Sequence, residues 1–234
     1  LETAGGDDTI VVDDDVSGNT RIINTNDGDD NLTVGDDLQH GATVNTGDGA
    51  DTVTINGDID DSTINTGDGA DTVDIHNAVD ASVINTGDGA DTVTIDRIQE
   101  DVTIDTGAGD DTVTLEDVSS GFDAGSVELG TGADTLVIND SLSGTDATFN
   151  GGDGVDNLVL NNVSRDDWDE GIKDQFTNFE NVTFKDGTTL DLTIDLQAGR
   201  YLAQGLDNET KMNNFSVTFS EKDFTPSSLR RIGH

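Results

Sequence analysis

The sequence predicts an all-β chain wound as a parallel β-solenoid, β-roll or β-helix in kind, of about eight coils. Three observations carry this. One sentence of residues, Asn45-Thr-Gly-Asp-Gly-Ala-Asp-Thr-Val-Thr-Ile55, returns almost unchanged at Asn65 to Ile75 and Asn85 to Ile95. Looser copies run from Asp105 to Leu115, Glu128 to Ile138 and Asn150 to Leu160, and two more begin at Gly5 and Asn26, so the period is 20–23 residues. Each copy joins a turn to a strand. Glycines in Gly-x-Gly-x-Asp take positive φ without penalty, and Thr-Val-Thr-Ile is β-branched with period-two alternation.

The bulk numbers agree. Only 32% of the 234 residues are hydrophobic and 4% aromatic. A narrow interior of stacked coils, about 4.8 Å apart, needs only small aliphatic residues. Low hydrophobicity with a net charge of −40 would suit disorder, but the few apolar residues fall in register. That charge excludes nucleic acid as a partner, since binding it needs a basic surface, and disfavours anionic membranes. There is no cysteine, hence no disulfide frame. No apolar run reaches the about 18 residues of a membrane helix, and no signal peptide is visible. The chain opens at Leu1 inside a repeat and reads as a piece of a longer protein.

The elements follow in order. Residues 1–40 form two degenerate coils, with Ile10 and Val12 matching Leu32 and Val34, and Ile23 matching Val44. Residues 41–115 are the regular coils. Val53, Val73, Val93 and Val113 form one inward column, and Ile55, Ile75, Ile95 and Leu115 a second. Val44, Ile64, Ile84 and Ile104 form a third on the opposing strand; Ile59 and Val79 start a fourth. Residues 116–163 continue with longer far loops and Phe149 in the opposing column. Residues 1–163 are thus the solenoid and 164–234 a C-terminal capping region.

In that cap, Ser164 to Asp167 resembles a helix start, and Trp168, Ile172 and Phe176 make a helical stripe. Phe179 to Phe184 and Thr188 to Leu196 read as strands joined by a hairpin turn at Asp186-Gly187. Tyr201-Leu202 and Phe215 to Phe219 read as a further pair.

Stacking brings the last Asp of every turn into one column: Asp8, Asp30, Asp51, Asp71, Asp91, Asp111, Asp134 and Asp156. Asp27, Asp48, Asp68, Asp88 and Asp153 make a second acidic set beside it. Two carboxylates about 5 Å apart repel by about 0.8 kcal/mol even in water. So many in register need protons or a counter-cation. The ligands are hard oxygens, carboxylates plus carbonyls freed by glycine turns, and His40, His76 and His234 match no ligand spacing. Such a set favours Ca²⁺ over transition metals and over Mg²⁺. Eight turns make seven gaps, so up to about seven ions would fit at one per gap.

The turn resembles the nonapeptide repeat of RTX proteins, here Thr46-Gly-Asp-Gly-Ala-Asp-Thr-Val-Thr54. The resemblance covers about residues 5–160. It implies Ca²⁺ held between coils by the phase-marking Asp residues and turn carbonyls, and a chain that folds only with the ion. Three departures stand out: Thr46, Thr66, Thr86 and Thr106 replace the first Gly, the motif comes once per coil, and Asp48 and its equivalents are extra acids. Single-motif coils of this kind look like those of large adhesins and some autotransporter passengers of Gram-negative bacteria. The resemblance implies a non-catalytic, calcium-stabilised module of a secreted or cell-surface, adhesin-like protein. Its partners would be calcium ions and a cell-surface or polysaccharide receptor of the parent protein. Two alternatives stand beside it. Outward Thr52/Thr54, Thr92/Thr94 and Thr112/Thr114 would suit an ice-binding face, and a β-helix would suit a carbohydrate-active enzyme.

Overall fold

The computed structural model describes residues 1–118, 122–142, 146–163, 172–185, 191–195 and 200–204, the last two stretches by their backbone. It is a parallel β-solenoid. Along one face run Thr9–Val12, Asn31–Val34, Thr52–Ile55, Thr72–Asp80, Thr92–Ile98, Thr112–Asp117, Thr135–Ile138, Asn157–Asn161 and Asn181–Lys185, each hydrogen-bonded to the next. The opposing face stacks Ile22–Asn24, Thr43–Asn45, Thr63–Asp68, Val83–Asp88, Thr103–Asp105, Ser126–Glu128, Thr148–Asn150 and Phe176–Thr177. A short third row, Val16–Ser17, Leu38–Gln39 and Ile59–Asp60, pairs into Thr72–Asp80.

Register follows the sequence period. Val53 pairs with Val73, Val73 with Val93 and Val93 with Val113. Val44, Ile64, Ile84 and Ile104 line up opposite. All are fully buried. The fourth column is longer than expected: Val16, Leu38, Ile59, Val79 and Ile98 are paired in sequence. A one-residue slip would turn every one of these side chains outward, so the apolar columns specify the register strongly.

The end of the chain differs from the sequence reading in two ways. The parallel ladder does not stop at Val163. Asn181–Lys185 pairs in parallel with Asn157–Asn161, placing Val182 on Leu158 and Phe184 on Leu160. Within the described residues the expected helix is one 3-10 turn, Ile172–Gln175. Phe176 leaves the helical stripe for strand Phe176–Thr177 and pairs with Phe149. Their rings stack with centroids 4.6 Å apart. Ladder pairing and ring stacking outweigh a helical spacing of apolar residues that no longer helix supports.

The expected hairpin is present. Asn181–Lys185 and Asp191–Asp195 pair antiparallel, and Arg200–Gln204 adds a further antiparallel strand. Ser164 to Asp167, Trp168, the Asp186-Gly187 turn and Phe215 to Phe219 lie outside the described residues. Among the described residues no helix is long and apolar enough to cross a membrane.

Candidate metal centre: a buried aspartate ladder

The site begins where each turn enters its long-face strand. Here the backbone N–H of the phase-marking Asp meets a carboxylate of the following coil. Asp51 N–H donates to Asp71 Oδ1, Asp71 to Asp91 and Asp91 to Asp111, each at 2.8 Å. The same bond joins Asp8 to Asp30, Asp30 to Asp51, Asp111 to Asp134 and Asp134 to Asp156, at 2.7–2.9 Å. The ladder therefore runs unbroken through all eight expected positions. Asp30 to Asp156 are buried, at 0–2% exposure, and Asp8 is half-buried.

From Asp30 to Asp156 one oxygen of each carboxylate is thus spoken for. The other is not: Oδ2 of Asp8, Asp30, Asp51, Asp71, Asp91, Asp111, Asp134 and Asp156 is buried without a hydrogen-bond partner. A buried acceptor left unpaired costs about 1–3 kcal/mol, and more when charged. The electrostatics register this. Burial pushes the carboxyls of Asp71, Asp111 and Asp134 up to about 6. Burial also raises Asp51 and Asp156, with neighbouring carboxylates adding to the shift.

Glycine shapes the wall of the ladder. Gly69 has φ of 152°, and a Cβ there would overlap the Gly49 carbonyl oxygen. At Gly89 the space a Cβ would fill is bordered by the Gly69 carbonyl oxygen and Asp91 Oδ1. The motif's second Gly is therefore required by the close approach of the neighbouring coil's carbonyl, which packs beside the ladder carboxylates. Hard oxygens, one of them charged and unpaired in every coil, are the donor set that suits a divalent cation such as Ca²⁺. The residues present fit the ion that the turn motif implies.

The second acidic set is placed differently. Asp27, Asp48, Asp68, Asp88 and Asp153 are exposed. Asp68 and Asp88 face each other across neighbouring coils, on the outside of the turns. Their backbone carbonyls are committed to the stack: Asp48, Asp68 and Asp88 accept from Gly28, Gly49 and Gly69 at 2.7–2.8 Å.

Three features of the site were not read from the sequence. Glu180 is a ninth ladder residue, accepting the Asp156 N–H on Oε2 at 2.7 Å. From Asn150 to Asp156 is six positions, but from its partner Thr177 to Glu180 only three, so the last turn has lost three residues. The longer Glu side chain reaches what Asp reaches elsewhere. Second, Thr25, Thr46, Thr66, Thr86 and Thr106 are buried rather than mere glycine replacements. Each hydroxyl donates to the next coil, as Thr46 to the Thr66 carbonyl at 3.1 Å. Third, Asn24, Asn45, Asn65 and Asn85 form an amide ladder, Nδ2 to Oδ1, at 2.7–2.8 Å.

Elsewhere, the far-loop carboxylates of Asp14, Asp15 and Asp36 lie within 4.8 Å of one another, all exposed. The charges of Asp15 and Asp37 raise the Asp36 carboxyl. On the long face, Thr52, Thr72, Thr92, Thr112 and Thr135 form one column. The neighbouring column is broken at Val137 and at Asp74, which pairs with His76 at 3.0 Å. Searches of protein-family models, of curated proteins and of solved structures found no match to this chain.

Proposed function

We propose that this chain is a non-catalytic, calcium-stabilised module of a larger secreted or cell-surface protein, adhesin-like in its build. Divalent cations along the Asp8–Asp156 ladder complete the fold. The observation that carries this reading is the column of eight buried, unpartnered Oδ2 atoms. The hydrogen bond to the preceding coil needs only one acceptor oxygen. An Asn would supply that oxygen without charge. A charged side chain used at every step, with its second oxygen buried and idle, is a costly arrangement unless a cation completes it.

Binding would be coupled to folding. The ladder exists only when the coils are stacked, so the free energy of binding becomes free energy of folding. Extracellular calcium modules work at about 10⁻⁴–10⁻³ M. A chain tuned to that range stays unfolded and threadable at low calcium and winds up once exported. The acidic surface and cysteine-free composition suit such a route.

Equilibrium dialysis with ion counting tests this directly. The expected result is several Ca²⁺ per chain, up to about seven at one per gap, with one fewer in Asp91→Asn. Uptake of no calcium at millimolar concentration would reject the reading. A second reading rests on the five-Thr column: a flat, ordered hydroxyl array suited to ice. It predicts thermal hysteresis that is lost in Thr92→Lys, and no hysteresis in the parent chain would dismiss it.

A further inference from the structure

The aspartate column leaves one oxygen over. Eight aspartates bound seven gaps, yet all eight carry a buried Oδ2 without a hydrogen-bond partner. At one idle oxygen per gap an eighth gap is needed, and the fold provides it at the end of the column. Every gap carries the same mark: a ladder N–H of one coil donates to a carboxylate of the next, as Asp134 does to Asp156 Oδ1 at 2.9 Å. Asp156 in turn donates to Glu180 Oε2 at 2.7 Å. Asp156 is fully buried and Glu180 is 9% exposed.

No Gly-x-Gly-x-Asp turn precedes Glu180, so this gap lies outside the repeated motif. A shorter turn closes it. Asn178 takes the positive φ there, at 58°, a conformation that Asn tolerates. Its side-chain amide donates to Asn150 Oδ1 at 2.8 Å, and Gly151 N–H donates to the Thr177 carbonyl at 3.0 Å. On the other flank Asn181 N–H donates to the Asp156 carbonyl at 3.0 Å. These bonds hold Glu180 opposite Asp156 from both sides. Phe179, the residue before Glu180, is buried, with its ring centroid 6.1 Å from that of Phe176. A Gln at this place would accept the Asp156 N–H without charge. A carboxylate puts two buried charges across one gap, which is costly unless a cation joins them. Their oxygens are hard donors of the kind that Ca²⁺ takes.

We propose that Asp156 and Glu180 hold a divalent cation of their own, an eighth site that ties the aromatic end of the chain to the ladder. This rests on the reading of the ladder as a cation site. An ion here joins two segments of different build: the last glycine turn, which ends at Asp156, and the short turn that carries Phe179 into the aromatic cluster.

The test is ion counting on the full chain by equilibrium dialysis against saturating Ca²⁺, with hydrogen exchange to locate the ion. The parent should hold eight Ca²⁺, one per gap. Glu180→Gln keeps an oxygen for the Asp156 N–H and removes the charge, and it should hold one fewer. In calcium, amide exchange in that variant should quicken along Asn181–Lys185 and stay unchanged along Thr72–Asp80. An unchanged count in Glu180→Gln overturns the proposal. Loss of two or more ions overturns it too, since Glu180 would then support the stack rather than bind one cation. Seven or fewer ions on the parent overturn it whatever the variant does, so the test holds even where Glu180→Gln does not fold. A parent that takes up no calcium overturns the ladder reading itself, whereas seven ions that survive Glu180→Gln overturn only the end site.

Discussion

The coils between Thr43 and Asp117 and those between Phe122 and Lys185 share one backbone ladder but are held together differently. The first group is a stack of small identical parts. Its interior is Val, Ile and Leu, and its turns carry matched Thr and Asn ladders. Most steps repeat the last, apart from exposed pairs such as His76–Asp74 and Arg97–Asp117. The second group trades repetition for bulk. Phe122, Phe149, Phe176 and Phe179 fill its interior, with ring centroids 4.6–6.1 Å apart. The Asn ladder has already ended at Asp105, which Glu128 follows, the Thr ladder gives way at Leu129 and Gly151, and the final Asp is replaced by Glu180. A solenoid needs both. Repetition extends a stack, and only a departure from repetition can end it.

The largest expected effect lies in the aromatic end. Phe149→Ala removes the ring between Phe122 and Phe176 and should cost about 3–5 kcal/mol. Ile84→Val, in the equivalent column of the regular coils, should cost only about 0.5–1.5 kcal/mol. Urea unfolding of the two variants in calcium measures the contrast. Equal losses would mean that the Phe149 ring holds no more than the one methyl group removed in Ile84→Val.

Next in size is the ladder charge. Asp91→Asn keeps an oxygen for the Asp71 N–H and removes one buried charge. In chelator it should stabilise the chain by about 1–3 kcal/mol, the cost of the unmet group. In saturating calcium the lost ion costs about 4.1 kcal/mol at a thousand times its Kd, which outweighs that gain and leaves a net destabilisation of about 1–3 kcal/mol. The fraction of β structure by far-UV circular dichroism in chelator, and urea unfolding in calcium, read the sign. The same sign in both would remove the reason for placing a cation there.

Proton binding gives the third comparison. The folded carboxyls of Asp71, Asp111 and Asp134 titrate near 6, against about 3.9 for an unfolded Asp. Between those values the folded chain binds more protons, so stability without calcium is greatest below about pH 4 and falls as pH rises through 6. In chelator the fraction of β structure read by far-UV circular dichroism should be higher at pH 5 than at pH 7.5. Relief of the overall negative charge acts in the same direction, so the decisive variant is Asp71→Asn, which should flatten the slope. An unchanged slope would assign the effect to net charge alone.

The smallest effect is Asn65→Ala, which breaks the amide ladder at both neighbours and should cost about 0.5–1.5 kcal/mol per lost bond. A cost near zero would make the ladder an ornament of the register rather than a support.

Much of this was legible in the residues. A fixed period with a β-branched strand dictated the coil, and the phase-marking Asp could be placed because Gly-x-Gly-x-Asp repeats before it. Glu180 was hidden for a physical reason. Glu180-Asn-Val-Thr-Phe184 copies Asp91-Thr-Val-Thr-Ile95 in pattern, but the glycine turn that announces the other copies is absent. The longer carboxylate conceals the loss by reaching the same N–H. The buried threonines were within reach. Period-two alternation puts Thr46 on the same side as Val44, and both are fully buried; comparison with a glycine pattern drew attention to what Thr replaces rather than to where it points. Phe176 misled because spacing of four suits a helix, and only the register with Phe149 reveals a strand.

The central claim is that cations complete the ladder and thereby the fold. Far-UV circular dichroism of the full chain in chelator, followed through a calcium titration, tests it most directly. The account predicts a largely coil spectrum that converts to β structure between micromolar and millimolar Ca²⁺. A β spectrum already complete in chelator at pH 7.5, and unmoved by calcium, would contradict it and leave the aspartates as a hydrogen-bonded ladder that needs no ion.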